Sequence, residues 1–167
     1  MRFVTLVGAC VALDPGGFWQ GWETPFFEKS VVISIKLMRA LRPVLPLLTG
    51  NALTRTALFV QFSARPLGAA GKRRARRTAL VCERPIVRCD LARPRCRSAP
   101  DRRPAGSLRS PLVIGWGRAD RVCMPVQASR ALDAFPDARL HWFEKSGHFP
   151  QWDAPEETVR LILQTTA

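Results

Sequence analysis

Paired cysteines are missing from this sequence. Its 5 cysteines include no C-x-x-C pair, and only two histidines, His141 and His148, stand beside them. Neither a zinc ribbon nor a disulfide framework is therefore spelled out. Cys82, Cys89 and Cys96 recur at even spacing, but both histidines have other expected roles, so no metal and no cofactor is expected. An odd set of unpaired thiols fits a reducing cytoplasm. Long apolar runs are missing too. Between Val31 and Phe62 the chain is apolar but broken by Lys36, Arg39, Arg42, Arg55, Pro43 and Pro46, and a bilayer span needs about 20 uninterrupted residues. No transmembrane segment is expected. Met1-Arg2 and the apolar stretch after it mimic a secretion signal, and Val7-Gly8-Ala9-Cys10 mimics a lipoprotein cleavage box. The single arginine and the short apolar stretch before Cys10 argue for a buried strand at Phe3 to Val7 instead.

Acidic residues are scarce: 13 Asp and Glu face 26 Lys and Arg, a formal charge of +13. The excess is local. From Gly71 to Arg109 the chain carries Lys72, Arg73, Arg74, Arg76, Arg77 and further arginines, against only Glu83, Asp90 and Asp101. That stretch has no sustained helical or strand period, so little packed structure is expected there. Three readings stand for it. It is a solvated basic run, a phosphate-binding segment using Arg73, Arg74, Arg76 and Arg77, or out-of-frame translation, since an Arg, Ala, Pro, Cys and Ser excess is what shifted GC-rich coding sequence gives.

What is present is an ordinary apolar content in 167 residues, enough for one domain. A loop is expected at Asp14-Pro15-Gly16-Gly17. Two or three short helices are expected between Phe18 and Phe62, where Ile33, Leu37, Leu41 and Leu45 recur at helical spacing. They suit a lid over a site or ordinary core helices equally well. Order returns at Ser110. Pro111 to Trp116 reads as a buried strand ending in the turn Gly117-Arg118-Ala119-Asp120, and Pro125 opens a helix through Val126, Ala131, Leu132 and Phe135. Ala138 to Phe143 alternates as a strand, a loop runs through Gly147-His148, and Pro155 begins a terminal helix. This alternation predicts an α/β fold whose loops at the carboxyl ends of parallel strands carry the chemistry.

Asp120 and His148 each follow a predicted strand in consecutive units, so both should emerge on one rim. A carboxylate accepting an imidazole N–H fixes the tautomer and stabilises the imidazolium formed on proton transfer. On chemistry alone, a lone Asp in a turn is as readily a turn residue, and a lone His a packed or surface side chain.

The stretch P-L-V-I-G-W-G-R-A-D-R-V-C-M-P, followed by P-D-A-R-L-H-W-F-E-K-S-G-H-F-P-Q-W-D-A-P-E-E, resembles the end of an α/β-hydrolase-fold enzyme. The matching motifs are G-x-x-D at Gly117 to Asp120, Gly147-His148, and Pro155-Glu156. V-T-L-V-G-A-C-V-A-L-D-P-G-G-F-W resembles the family's strand leading into its helical cap. The resemblance implies a partial α/β-hydrolase fold: a hydrolase-core strand in residues 1–17, a helical cap-like segment in 18–66, a disordered Arg-rich insert in 67–109, and the C-terminal core in 110–167. It also implies Asp120 as the triad acid and His148 as the base, acting in complete relatives on esters or related acyl or carbon-carbon bonds. The family's G-x-S-x-G nucleophile elbow has no counterpart here. Gly8-Ala9-Cys10-Val11-Ala12 has its outline with a cysteine, but Pro15 and two glycines would break the helix an elbow requires, and a buried inert cysteine is the competing reading. The expectation is a truncated or frameshifted hydrolase, inactive as this chain alone and self-associating through an exposed sheet edge. The alternative is an Arg-rich nucleic-acid-binding protein.

Overall fold

A computed structural model of the chain describes residues 8–65 and 100–166. Three parallel strands form a sheet in which spatial order follows chain order: β1 (Cys10–Leu13), β2 (Leu112–Gly117) and β3 (Arg139–Phe143). Val11 pairs with Val113, and Ile114 with Leu140. The central strand is apolar without interruption because both of its faces are covered. Ile114 and Trp116 point to one face and pack with Phe18, Val122, Cys123 and three alanines, Ala128, Ala131 and Ala134. Those alanines lie on helix α4 (Gln127–Ala134), where small side chains let helix and sheet approach closely. Val113 points to the other face and packs with Phe143 and Leu161, the latter from the terminal helix α6 (Pro155–Thr166). Gly115 makes room on that face, since a Cβ there would lie 2.8 Å from the Phe143 ring and 2.9 Å from Leu13.

Between β1 and β2 the chain forms α1 (Glu23–Ala40), a 3-10 turn at Arg42–Val44, α2 (Leu45–Gly50) and α3 (Ala52–Phe59). Pro43 sits at the start of the 3-10 turn, where its missing N–H is tolerated, and Asn51 caps α3 by accepting the Leu53 N–H at 2.8 Å. The Ile33 and Leu37 of the helical period lie on α1 but remain 64% and 50% exposed. Phe27 of α1 packs against the core cluster, and a charge pair adds a second tie to the sheet unit. Buried Glu23 receives both arms of the Arg130 guanidinium from α4, with Nη2 3.1 Å from Oε1, and Arg130 also donates to the Phe18 carbonyl at 3.0 Å. The same guanidinium holds the Glu23 carboxyl below its usual range.

Several expectations shift. The strand expected at Phe3 to Val7 lies outside the described residues, and the strand found begins at Cys10. The helix expected to open at Pro125 starts at Gln127, with Pro125 in the preceding turn, its carbonyl accepting the Ala128 N–H at 3.1 Å. A one-turn helix, α5 (Pro150–Asp153), precedes α6 and was not expected. Residues 100–109 form no helix or strand, yet Arg103 N–H donates to the Ala134 carbonyl and Asp137 accepts the Gly106 and Leu108 N–H groups. No helix among the described residues is long and apolar enough to cross a membrane.

Candidate active site

The carboxyl ends of the three strands converge on one rim, as a parallel sheet requires. Asp14 follows β1, Asp120 lies in the turn after β2, and His148 lies in the loop after β3. Asp120 and His148, expected as a pair, are one: Nδ1 of the imidazole stands 3.0 Å from Asp120 Oδ2. A carboxylate only accepts, so Nδ1 carries the proton and Nε2 is the free basic position. Asp120 is held from its other side as well. Its Oδ1 accepts the backbone N–H of Val122 at 2.7 Å and of Cys123 at 3.0 Å, which fixes the carboxylate plane independently of the histidine. The Asp120 side chain is fully buried and that of His148 is 19% exposed, so the imidazole edge is the face of the pair open to solvent.

The loop carrying His148 crosses the end of β2 with no room to spare. A Cβ on Gly117 would lie 2.2 Å from the Gly147 carbonyl oxygen, which explains the glycine that begins the G-x-x-D turn. Arg118 and Ala119 N–H groups continue the strand contact by donating to Phe143 and Ser146 carbonyls at 3.1 and 3.0 Å. Asp153, at the end of α5, ties the same loop to the helical segment. It accepts the N–H of Gly147 at 2.8 Å, the N–H of Ala64 at 2.8 Å, and the hydroxyl of Ser63. Phe149 then stacks against Phe62, so the residues on either side of His148 both rest on the chain that leaves α3.

Two residues that the sequence reading passed over complete the rim. Asp14 was placed in a loop; it is buried, adopts φ +43, and its Oδ1 accepts the Gly117 N–H at 2.7 Å. Burial pushes its carboxyl up to about 9, against the pull of that N–H and aided by the charges of Asp120 and Asp153. Asp14 is therefore protonated at neutral pH. The signal for it was available: Asp14 follows the apolar run Val11-Ala12-Leu13 as Asp120 follows β2. Cys123 is buried beside Asp120, and burial together with the neighbouring carboxylates pushes its thiol well above the usual range.

Cys10 does not belong to this rim. It is the first residue of β1, at the amino end of the sheet, so the strand itself separates it from Asp120 and His148. It is exposed rather than buried, and no elbow turn follows it. The candidate cysteine nucleophile is thereby corrected. The second histidine, His141, is engaged by Glu157 at 3.0 Å. Arg73, Arg74, Arg76 and Arg77 lie outside the described residues.

A family model described as the alpha/beta hydrolase family matches residues 1–161. The chain belongs to the alpha/beta hydrolase family. Among curated relatives it is 39% identical over 61 residues to a 2-hydroxy-6-oxononadienedioate/2-hydroxy-6-oxononatrienedioate hydrolase of a Pseudomonas species, covering 36% of this chain and 22% of that protein. It is 32% identical over 62 residues to a 2-hydroxy-6-oxo-6-phenylhexa-2,4-dienoate hydrolase of Burkholderia cepacia, covering 37% and 22%. The match thus spans about a fifth of these hydrolases. The fold is shared with Rv0554 of Mycobacterium tuberculosis at TM-score 0.62 and 20% identity, over 96% of this chain and 56% of that one. It is also shared with MGS-M2, a hydrolase from a deep-sea metagenome, at TM-score 0.56 and 14% identity, over 98% and 57%. The parallel sheet with helices on both faces is a partial form of that fold.

Proposed function

We propose that this chain carries the acid and base of a carbon-carbon bond hydrolase acting on 2-hydroxy-6-oxo-dienoate compounds, with Asp120 orienting His148 and His148 Nε2 as the general base. The observation that carries the reading is the 3.0 Å contact between Asp120 and His148 on the rim of the sheet. The identity of the curated relatives supports the substrate class. In such a hydrolysis water adds across the bond beside the keto group. One fragment leaves as a carboxylic acid, the other keeps the hydrogen, and a base must take and return a proton. No serine of the chain stands in G-x-S-x-G, and among the described residues no hydroxyl hydrogen-bonds His148. The nucleophile is then a water held by Nε2 or a group brought by a complementing segment. Loss of a triad nucleophile leaves only a small residual rate, so the chain alone is expected to be a poor catalyst. The helical segment from α1 to α3 serves as the cap, because the residues that follow it, Phe62 to Ala64, rest on the loop and helix beside His148.

The test is loss of the dienolate absorbance of a 2-hydroxy-6-oxo-hexadienoate substrate, measured for the purified chain alone and mixed with the nucleophile-bearing half of a full-length relative. Turnover in the mixture that His148→Ala abolishes supports the reading. Turnover unaffected by His148→Ala, or none in either sample, sinks it.

A further inference from the structure

The Asp120–His148 pair has a neighbour that acid-base chemistry does not use. Cys123 lies three residues past Asp120, is 2% exposed and has no disulfide partner. Both ends of the residue are fixed: its N–H donates to Asp120 Oδ1 at 3.0 Å, and its carbonyl accepts the Trp116 indole N–H at 3.0 Å. The donor atoms of Asp120, Cys123 and His148 all lie within 4.8 Å of one another. The buried Asp14 carboxyl, protonated at neutral pH, stands beside the same atoms and shares a side-chain hydrogen bond with Asp120.

We propose that Asp120, Cys123 and His148 form a site for a thiophilic divalent cation of the zinc class, with the neutral Asp14 carboxyl behind it. Carboxylate, thiolate and imidazole together suit zinc or cadmium and not calcium or magnesium, which take oxygen ligands. An ion roughly 2.0–2.1 Å from nitrogen and oxygen would bridge the 3.0 Å Nδ1–Oδ2 pair at an angle of roughly 95°, which reaches tetrahedral as the two atoms separate by a few tenths of an ångström, and sulfur would join at about 2.3 Å after a side-chain rotation. The part-exposed side of His148 leaves a fourth position for water. Binding releases one proton, from the Cys123 thiol, to solvent. The imidazole loses none: its proton moves from Nδ1 to Nε2 as Nδ1 takes the ion. Nε2 then becomes a donor and stops being a base. The last consequence rests on the acid-base reading above; the site itself does not.

The experiment titrates cadmium into the full-length chain with Cys10, Cys82, Cys89 and Cys96 replaced by serine, following the thiolate-to-cadmium ultraviolet band and the ring nitrogens of His148 by NMR. One ion per chain, with the band and a shift at Nδ1, is expected. Cys123→Ser should remove the band, and His148→Gln should weaken binding by about tenfold or more while the band persists. His148 is part-exposed, so its variant decides the matter even where the buried Cys123 variant fails to fold. An absent band with Cys123 as the sole cysteine, or an affinity indifferent to His148→Gln, overturns the proposal whatever the outcome for hydrolysis.

Discussion

The helical segment from α1 to α3 and the unit from β2 to α6 are both rich in apolar residues, yet they spend them differently. In the second, Ile114, Trp116 and Phe143 are 2%, 0% and 0% exposed. In the first, Leu47 and Leu53 are 77% and 80% exposed. The difference is one of neighbours. The central parallel strand is covered on its two faces by the crossover helix α4 and the terminal helix α6, whereas a helix stripe needs a second surface to lie against. Both polar and aromatic contacts join the two regions: Glu23 with Arg130, Asp153 with Ser63 and Ala64, and Phe27 and Phe62 packed against the core of the second.

The sharpest break of that contrast is Trp116→Ala, which empties the larger core and orphans the Cys123 carbonyl. A loss of about 3–5 kcal/mol is expected, read from the denaturation midpoint. Next in size is Asp14→Asn, at the junction of strand and rim. Asp14 is raised when folded, so between its ordinary value of 3.8 and about 9 the native chain holds a proton that the unfolded chain releases. Its burden on stability therefore grows as pH rises through that window. Asn keeps the acceptor for Gly117 and tolerates the positive φ. The variant should gain on the order of 3 kcal/mol at neutral pH, and lose that slope when stability is measured from pH 4 to 9.

Glu23→Gln tests the clamp between the regions. The Glu23 carboxyl is lowered when folded, so its contribution is present above the ordinary carboxylate range and is lost as pH falls through the folded value. The variant should cost about 2 kcal/mol at neutral pH, less than a fully buried pair because Arg130 is partly exposed. In acid, wild type and variant should converge. The smallest effect belongs to Leu53→Ser on the outer face of α3, within about 0.5 kcal/mol. A loss comparable to that of Trp116→Ala would mean that another surface covers this face, and the contrast between the regions would fail.

Much of the rim was legible because parallel strands announce themselves. Pro111 to Trp116 is an apolar run too short for a helix, and Ala138 to Phe143 alternates, so Asp120 and His148 could be set just past strand ends. Asp14 obeys the same rule, but it opens the stretch Asp14-Pro15-Gly16-Gly17, which reads as a turn and hides the strand before it. Asp153 could not be found from pattern, because its partners lie far away in sequence, at Ser63 and Ala64. Cys10 failed as a candidate for the opposite reason: glycine spacing outlines an elbow without saying at which end of a strand it falls.

The sequence by itself determined the alternation of strands and helices, the family, and the placing of an acid and a histidine on one side of a sheet, because these depend on local periodicity and on residues at strand ends. The tertiary structure alone decided that Asp14 is buried and protonated beside that pair, that Cys123 reaches His148, that Asp153 braces the loop beneath it, and which apolar helix faces are covered. Each of these depends on a buried contact between segments distant in the chain, where desolvation sets proton affinity and no local pattern records it.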